Sequence, residues 1–558
     1  MVRALRAPLL QIPPFPHARP AALARAVDGP RADPSDADLD DCMDAMRRLK
    51  VGGEYWGSQQ LLPANPYLLV RVRTASATDP VITQLAGGRE VLWWAGTDWP
   101  PRRPEKQMAH VAGRSCDPWH LLSGASALLV DADDDMALLA AIVGVPVDCV
   151  GGGPFAALGG AGGPAALPSL FRANLAEAFD YVDPFTGEPM DLGSAIALCG
   201  LWRALIDGNR DIGGALGFAF WKRDAVAPLL WGGDGQVRFL SQPETLPPGQ
   251  SFAVWKSRVA PAALAELERT GAPVIEVEDG FIRSAGLGAD CVPPLSITVD
   301  RLGAHFDPAQ PSELEQLLED GDFPEPLLNR ARELRALIVA SGISKYDVGG
   351  APTQRVGGKR HRVLVPGQVE DDRSVRSGGG AVSTNLELLR RARLHEPHAF
   401  ILYKPHPDVE AGHRVGAIRD DLCLTLADAV VRDRPISTLI AQVDALHVNT
   451  SLAGFEALLR GTPVTTHGVP FYAGWGLTRD LGEVPSRRTA RRTLDELVAA
   501  VLLLYPRYVD PVTGLPCPPE VLIRRLAQAA SPRQRPVVRM RRWQGRLKRG
   551  WTRLRGGA

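Results

Sequence analysis

The sequence has few cysteines, and none of them form a C-x-x-C pair. The seven cysteines are scattered and odd in number, which argues against a disulfide framework or a zinc site and favours a reducing compartment. No apolar run is long enough to span a membrane, and prolines interrupt the first residues before a signal-peptide core is formed. We therefore expect a cytoplasmic protein.

Two further motifs are missing from the chain. There is no G-x-x-x-x-G-K-[ST] loop, which weakens an assignment as a P-loop NTPase. There is also no His/Asp cluster with the spacing of metal ligands, although the pair Asp371 and Asp372 leaves a metal site as a minor alternative. We expect neither a metal nor an organic cofactor.

Net charge is also absent, but this balance conceals an asymmetry. Residues 531–558 carry ten basic side chains and no acid, so the remainder of the chain holds 53 of the 63 basic residues against 63 acidic ones. Two tryptophans, Trp543 and Trp551, lie in the same tail. A basic, Trp-bearing tail on an acidic body suits an anionic membrane surface or another polyanion; the alternative is a disordered solubilising tail. The body has no basic stripe, so we expect no nucleic-acid partner.

A length of 558 residues predicts roughly two to four domains, and one phrase in the chain occurs twice. Residues 181–187 read YVDPFTG and residues 508–514 read YVDPVTG. An Asp-Pro turn is a common local structure. However, each copy follows a strand–helix–strand pattern of Rossmann type, in residues 124–155 and 441–471. Together these features favour a tandem duplication.

The two copies differ at the corner that precedes the helix. The later copy has Thr450 and Ser451 there, and hydroxyls at a helix N-terminus are suited to binding phosphate. Alignment of the copies places Asp133 and Asp134 at these positions, and carboxylates repel an anionic ligand. The first module thus keeps the scaffold and has lost the site.

Four predicted strands in the second half each end in a polar cluster. In chain order, these clusters contain Glu278 and Asp279, then Gln368, Glu370, Asp371, Asp372 and Ser374, then Lys404 and His406, and finally Thr450 and Ser451. Ligands of open α/β sheets bind at the carboxyl ends of strands. Lys404 and His406, held on a proline-rich turn, and the Ser451 helix start predict a phosphate pocket. The acids Glu278 and Asp279 are either a turn or a general base.

Several longer motifs carry a resemblance to a known family. EDGFIRSAGLG begins at Glu278, VPGQVEDDRS spans 365–374, YKPHPDV spans 403–409 and NTSLAGFEALLRG spans 449–461. In this order they resemble the capsule polysaccharide β-Kdo transferases of Gram-negative bacteria, over roughly residues 205–525. Full-length members of that family carry two retaining Kdo transferase modules, and this chain resembles the second module with a degenerate partial first one.

The resemblance implies an α/β fold, namely a two-Rossmann-domain, B-type glycosyltransferase module preceded by a degenerate Rossmann-like partial module. The expected segments are an N-terminal extension (1–35), the partial first module (36–180), a helical linker (181–234), an acceptor-side domain (235–350), a CMP-sugar-binding domain (351–530) and the basic tail (531–558). On a looser alignment, Ser58 stands in place of Asp372, and residues 67–73 stand in place of the FILYKPH strand, with Arg73 at His406.

The resemblance also implies CMP-Kdo as the donor and a double displacement that retains configuration. Asp372 is the implied nucleophile, with Asp371 as the other choice, and Glu278 or Asp279 is the base that deprotonates the acceptor. The implied donor-binding residues are Lys404, His406, Thr450, Ser451, Gln368, Arg283 and Ser284. Arg283 and Ser284 would hold the Kdo carboxylate, or Arg283 would simply pair with Asp279.

The implied acceptor is a phospholipid-linked Kdo glycolipid, which the basic tail would let the enzyme reach from the inner leaflet of the inner membrane. Other capsule assembly proteins are further candidate partners. Two different functions remain open: a non-catalytic capsule assembly or export scaffold that binds donor or lipid, and a sugar-nucleotide epimerase of the same fold.

Overall fold

The computed structural model describes residues 8–27, 36–73, 79–96, 110–113, 115–283, 292–342 and 358–528. Ser284 and the basic tail lie outside the described residues. The chain divides into two compact units. The first contains Met1–Asp211 and Leu230–Val237, and the second contains Ile212–Leu229 and Arg238–Ala558.

The first unit alternates strands and helices. Its strands are β1 (Ala24–Ala26), β2 (Tyr67–Arg71), β3 (Val91–Trp94), β4 (His110–Ala112), β5 (Ala125–Asp131), β6 (Val147–Val150), β7 (Phe179–Val182) and β8 (Pro189–Met190). Its helices are α1 (Asp36–Leu49), α2 (Pro80–Ala86), α3 (Pro118–Ser123), α4 (Met136–Val143), α5 (Gly163–Phe171) and α6 (Leu192–Asp207).

Five of these strands form a parallel sheet in the order β4-β3-β2-β5-β6. The central strands β2 and β5 are nearly continuous apolar runs because both faces of the sheet are covered. The chain winds outward from β2 to β4 and then resumes beside β2 with β5. The order therefore reverses between β2 and β5, and this is the position where α/β sheets of this kind bind ligands.

The N-terminal residues belong to the body of the first unit. Strand β1 pairs with β7, and the side chains of Leu10 and Phe15 are buried. The predicted extension over residues 1–35 thus contributes a strand and core residues where it is described. Of the predicted linker over residues 181–234, residues 181–211 and 230–234 fall in the first unit and residues 212–229 in the second.

The second unit contains the remaining elements. Its strands are β9 (Ile212–Leu216), β10 (Phe239–Leu240), β11 (Ser251–Val254), β12 (Val274–Asp279), β13 (Ser296–Asp300), β14 (Arg362–Pro366), β15 (Phe400–Lys404), β16 (Ala429–Val430), β17 (Ala445–Val448), β18 (Val464–Thr466), β19 (Arg479–Asp480), β20 (Pro506–Val509) and β21 (Pro516–Cys517). Its helices are α7 (Phe220–Leu230), α8 (Pro261–Thr270), α9 (Glu313–Asp320), α10 (Glu325–Ser341), α11 (Arg373–Gly378), α12 (Asn385–His395), α13 (Pro407–Glu410), α14 (Asp420–Cys423), α15 (Ile436–Ile440), α16 (Leu452–Leu459), α17 (Leu494–Val498) and α18 (Pro519–Gln528).

Two sheets organise the second unit. A seven-stranded mixed sheet has the order β10-β9-β11-β12-β13-β20-β21, and a six-stranded parallel sheet has the order β16-β15-β14-β17-β18-β19. The second order is that of a Rossmann fold, and it reverses between β14 and β17. The predicted α/β class with Rossmann-like modules is confirmed. Strands β20 and β21 come from the far end of the chain and complete the seven-stranded sheet.

The doubled phrase forms the same hairpin in both units. Tyr181 lies in β7, which turns back onto β8, and Tyr508 lies in β20, which turns back onto β21. A π-helical turn precedes both strands, and each tyrosine hydroxyl donates to a carbonyl of that turn, at Leu175 (3.0 Å) and Leu502 (2.9 Å). This shared local structure is what a duplication predicts.

A pair of histidines is buried in the six-stranded sheet. Nδ1 of His447 lies 3.0 Å from Nε2 of His467, and neither side chain reaches solvent appreciably. Burial lowers the pKa of His447 to about 3 and that of His467 to about 4, so both rings are neutral at pH 7. The pair therefore packs as part of the core.

Within the described ranges, no helix is both long enough and apolar enough to cross a lipid bilayer.

Candidate functional site

The carboxyl ends of β14 and β17 meet at the point where the strand order of the six-stranded sheet reverses. Gln368 follows β14 and Thr450 follows β17, and they are joined by two hydrogen bonds. The Gln368 amide nitrogen donates to the Thr450 hydroxyl (3.0 Å), and the Thr450 backbone N–H donates to Oε1 of Gln368 (3.0 Å). These two predicted donor-binding residues thus satisfy each other and fix the distance between the two corners.

Asn385, the first residue of α12, holds the loop that follows β14. Its side-chain amide donates to the carbonyls of Gln368 and Gly416 (both 2.8 Å), and its Oδ1 accepts the N–H of Gln368 (2.8 Å). A small recess beside this network is lined by Gln368, Glu370, Val375, Ser383, Thr384, Asn385, Leu388 and Asn449.

The neighbouring acids Asp371 and Asp372 have different surroundings. Asp371 is ion-paired with Arg414 at 3.1 Å. Asp372 is the N-cap of α11, and its Oδ1 accepts from the backbone N–H and the hydroxyl of Ser374 (both 3.0 Å). The cap fixes the rotamer of Asp372, and none of the ion pairs found among the described residues involves this carboxylate.

Lys404 is the last residue of β15, and His406 lies on the turn that follows this strand. Lys404 is buried, and its ammonium donates to the carbonyl of Arg432 (3.4 Å). Nδ1 of His406 accepts the backbone N–H of Asp408 (3.1 Å), so a neutral ring carries its proton on Nε2. Nε2–H is then oriented as a donor whether or not the ring is charged.

Ser451 is the N-cap of α16. Its hydroxyl accepts from the N–H of Ala453 (3.2 Å), and its carbonyl accepts from the hydroxyl of Tyr472. Tyr472 and Trp475 of the PFYAGWG motif are fully buried. These aromatic residues therefore support the corner from behind.

Glu278 is the penultimate residue of β12, on the other sheet of the unit, and contacts the α11 corner. Nη1 of Arg373 lies 2.8 Å from Oε1 of Glu278 and 2.5 Å from Oε1 of Glu276. Burial raises the pKa of Glu278 to about 7, and the charge of Arg373 opposes this rise. A carboxyl group that titrates near neutrality is suited to general acid–base catalysis.

Asp279 lies in a different environment from Glu278. Nε of Arg283 is 2.9 Å from Oδ2 of Asp279, and the ammonium of Lys222 is 3.5 Å from Oδ1. Two buried cations thus hold this carboxylate, and Arg283 also donates to the carbonyl of Val292 (2.8 Å). Of the two acids predicted as bases, Glu278 is the better placed chemically. Arg283 makes the pair with Asp279 that the sequence left open.

Three contributors to this site were not predicted from the sequence. Arg373 lies in the motif VPGQVEDDRS and Lys222 lies within the stretch 205–525 that carries the resemblance, but the sequence attached no role to either residue. Burial lowers the pKa of Lys222 to about 8, with its ammonium 3.1 Å from the centre of the Trp255 ring. Asn385 has no signal in the sequence, because only the fold brings it to the β14 loop.

The corresponding switch point of the first unit, between β2 and β5, is occupied by ion pairs. Arg71 pairs with Asp134 at 2.9 Å, and Arg73 pairs with Asp133 at 2.7 Å. Arg73 also reaches Asp131 at 3.3 Å. The side chains that close this corner satisfy one another, which agrees with the predicted loss of an anion site.

The strand register also corrects the looser alignment of the first module. Strand β2 pairs with β5 through Leu69 and Leu128, as β14 pairs with β17 through Val363 and Ala445. Residues 67–73 therefore take the topological place of β14 and not of β15. By this register Arg73 aligns with Gly367 and not with His406. Ser58 lies outside this sheet and forms an isolated parallel β-bridge, through backbone hydrogen bonds, with Cys116.

Within the described part of the chain, His, Cys, Asp and Glu side chains form no group of three or more that is arranged to bind a metal ion.

Comparison with known proteins gives consistent matches to this region. Residues 253–508 match the family described as capsule polysaccharide biosynthesis protein. The structure of a β-Kdo 2,4 transferase, KpsC of Thermosulfurimonas dismutans, is 34% identical over 98% of its chain and 56% of this one, with a TM-score of 0.49. Residues 253–508 of this chain form a domain of the capsule polysaccharide biosynthesis family. The resemblance to capsule Kdo transferases predicted from the motifs is confirmed.

Two curated relatives of this chain extend the match. The capsule polysaccharide modification protein LipA of Neisseria meningitidis serogroup A is 38% identical over 356 residues, which is 63% of this chain and 50% of LipA. The lipopolysaccharide-processing protein LpsZ of Rhizobium meliloti is 44% identical over 263 residues, or 46% of this chain and 60% of LpsZ. The chain thus spans about half the length of LipA and somewhat more of LpsZ.

Proposed function

We propose that the second unit is a retaining glycosyltransferase that moves Kdo from CMP-Kdo to a Kdo-bearing glycolipid in capsule synthesis. The contact between Arg373 and Glu278 is the observation that carries this proposal. Arg373 directly follows Asp372, so the contact brings together a capped aspartate from one sheet and a glutamate from the other. Retaining sugar transfer by double displacement needs such a pair of carboxylates.

In the first step, an oxygen of Asp372 attacks the anomeric carbon of Kdo while the bond from that carbon to the phosphate oxygen breaks. The electron pair leaves with CMP, and a covalent Kdo–Asp372 ester remains. Lys404, the Nε2–H of His406 and the start of α16 at Ser451 supply positive charge and hydrogen bonds to the departing phosphate. They assist departure to the extent that they bind the phosphate more strongly in the transition state.

In the second step, the acceptor hydroxyl attacks the same carbon from the face that CMP left. Glu278 takes the hydroxyl proton, and the Asp372 carboxylate is released in its original form. Two inversions give net retention. Ionised Glu278 is the active form here, and its pKa of about 7 gives a substantial ionised fraction at neutral pH.

The experiment that tests this proposal uses the purified chain with CMP-Kdo and two synthetic acceptors, a bare glycolipid and its mono-Kdo form. Mass spectrometry should show addition of Kdo to the mono-Kdo acceptor. Binding of CMP without any transfer would favour a donor-binding scaffold, and release of a free sugar without a longer glycolipid would favour an epimerase. Either result would overturn the transferase assignment.

We further propose that the basic tail, residues 531–558, holds the enzyme at the cytoplasmic face of the inner membrane. Its ten basic side chains and two tryptophans support attraction to anionic lipid. A chain that ends at residue 530 should keep its rate on a detergent-dispersed acceptor and lose sedimentation with anionic vesicles. Equal sedimentation of both chains would refute this role.

A further inference from the structure

Arg373 occupies an unusual position between the two sheets of the second unit. Its Nη1 contacts Glu276 and Glu278 together, at 2.5 and 2.8 Å. The guanidinium carbon lies 5.0 Å from the centre of the Phe306 ring. Arg373 is therefore held at its backbone by helix α11 and at its guanidinium by two carboxylates of β12.

Glu276 anchors this arrangement. It is almost fully buried, and its second oxygen is paired with Lys256 at 2.7 Å. Glu276 thus has cations on both oxygens, and a buried carboxylate paired in this way is a stable partner for Arg373. The order of contacts is Lys256, Glu276, Arg373 and Glu278, and Arg373 directly follows the proposed nucleophile Asp372 in the chain.

Charged groups from three elements act on Glu278. Glu276 and Asp279 lie on its own strand and disfavour its ionised form, while Lys222 on α7 and Arg373 on α11 favour that form. Lys222 is already paired with Asp279. Arg373 makes the shortest contact of a cation with Glu278 among the ion pairs of the described residues.

We propose that Arg373 is a positioning residue, which holds Glu278 opposite Asp372 and stabilises the ionised base as the acceptor binds. This inference rests on the proposed function and deepens it, since it assigns the adjacent Asp372 and Arg373 two separate tasks. Asp372 reacts with the sugar, and Arg373 prepares the base for the second step.

The test compares Arg373→Gln and Arg373→Lys with Arg376→Gln, a matched control in which an exposed arginine on the same helix is replaced. The measurement is kcat/KM for Kdo transfer between pH 5.5 and 9. In the plot of kcat/KM against pH, the rising limb for Arg373→Gln should shift to higher pH by about one unit, with about a tenfold loss of kcat/KM at pH 6. Arg373→Lys should recover most of this shift, and Arg376→Gln should match the wild type.

A purely structural role predicts a different result. In that case Arg373→Gln would lose the same fraction of its rate at every pH, and the limb would not move, which would overturn the inference. The unfolding midpoints of all the variants provide the check on folding.

A second measurement separates this inference from the proposed function. The titration of Glu278 is followed without substrate by NMR of ¹³C-labelled glutamate, with Glu278→Gln used to assign its signal. If the wild type transfers no Kdo, the proposed function fails. A higher titration midpoint of Glu278 in Arg373→Gln than in the wild type would still support the role of the contact between Arg373 and Glu278. An unchanged midpoint overturns the role of Arg373 whether or not transfer occurs.

Discussion

Replacement of Glu278 by glutamine should raise stability and abolish activity at the same site. Burial raises the pKa of Glu278 from its ordinary 4.5 to about 7. A difference of this size corresponds to about 3 kcal/mol, at 1.36 kcal/mol for each pH unit. Because the native state binds this proton more tightly than the unfolded chain, stability falls as the pH rises from about 4.5 through about 7. Glutamine resembles the protonated form and escapes this loss.

The assay is the denaturant midpoint of the second unit at pH 5 and at pH 8, for the wild type and for Glu278→Gln. The two proteins should be nearly equal at pH 5, and the variant should be more stable by about 2–3 kcal/mol at pH 8. The rate of Kdo transfer should fall by about 10²–10⁴-fold, which is the usual contribution of a general base. A stabilised protein with little activity is the signature of a carboxylate kept for function.

The control for this prediction is Glu268→Gln, in which an exposed glutamate on α8 is replaced. This control should alter neither the rate of Kdo transfer nor the difference in stability between pH 5 and pH 8. The reasoning is refuted if Glu278→Gln is destabilised at pH 8 relative to the wild type, since Glu278 would then be an ordinary ion-pair partner of Arg373. Normal transfer by the variant would remove its role as base.

Three further predictions follow. Asp372→Asn keeps an oxygen that can cap α11, so it should bind CMP within about threefold of the wild type by calorimetry but transfer no Kdo; an ordinary rate would rule out Asp372 as nucleophile. Lys404→Met should weaken CMP binding by about tenfold or more, and unchanged affinity would remove Lys404 from the phosphate site. Burial holds the pKa of His467 at about 4. The contribution of His467 to stability should therefore be lost as the pH drops below about 6.5, by about 2 kcal/mol at pH 5, so between pH 7 and 5 the stability of His467→Gln should change relative to the wild type by about that amount in the variant's favour. Equal changes in the stability of the wild type and of His467→Gln between pH 7 and 5 would contradict this prediction.

The sequence predicted the positions of the polar strand ends because a buried apolar strand followed by polar residues is a local signal. Gln368 and Thr450 could thus be assigned to one edge of a sheet. Their mutual hydrogen bonds could not be predicted, since these depend on β14 and β17 being neighbours across more than eighty residues of chain. Roles that arise from spatial pairing, such as that of Asn385, have no counterpart in local sequence.

The choice between adjacent acids also required the fold. The resemblance favours Asp372 over Asp371 and leaves Glu278 and Asp279 open, but local sequence does not show how the surroundings of the two members of each pair differ. Their differences come from cations on distant segments, Arg414 for Asp371 and Lys222 for Asp279. Similarly, the misplacement of Arg73 arose because a short strand carries too little information to fix its register, whereas the pairing of β2 with β5 fixes it.

The path of the chain through the seven-stranded sheet has a consequence for biosynthesis. Strand β13 pairs with β20, so Ser296 meets Tyr508 only after the roughly two hundred residues between them have left the ribosome. The six-stranded sheet, by contrast, draws on one continuous stretch that precedes β20 and can form earlier during translation. The edge of β13 therefore stays open until β20 emerges, and unpaired edges of this kind invite aggregation. Nascent chains stalled before residue 506 should consequently be the species that most need chaperones.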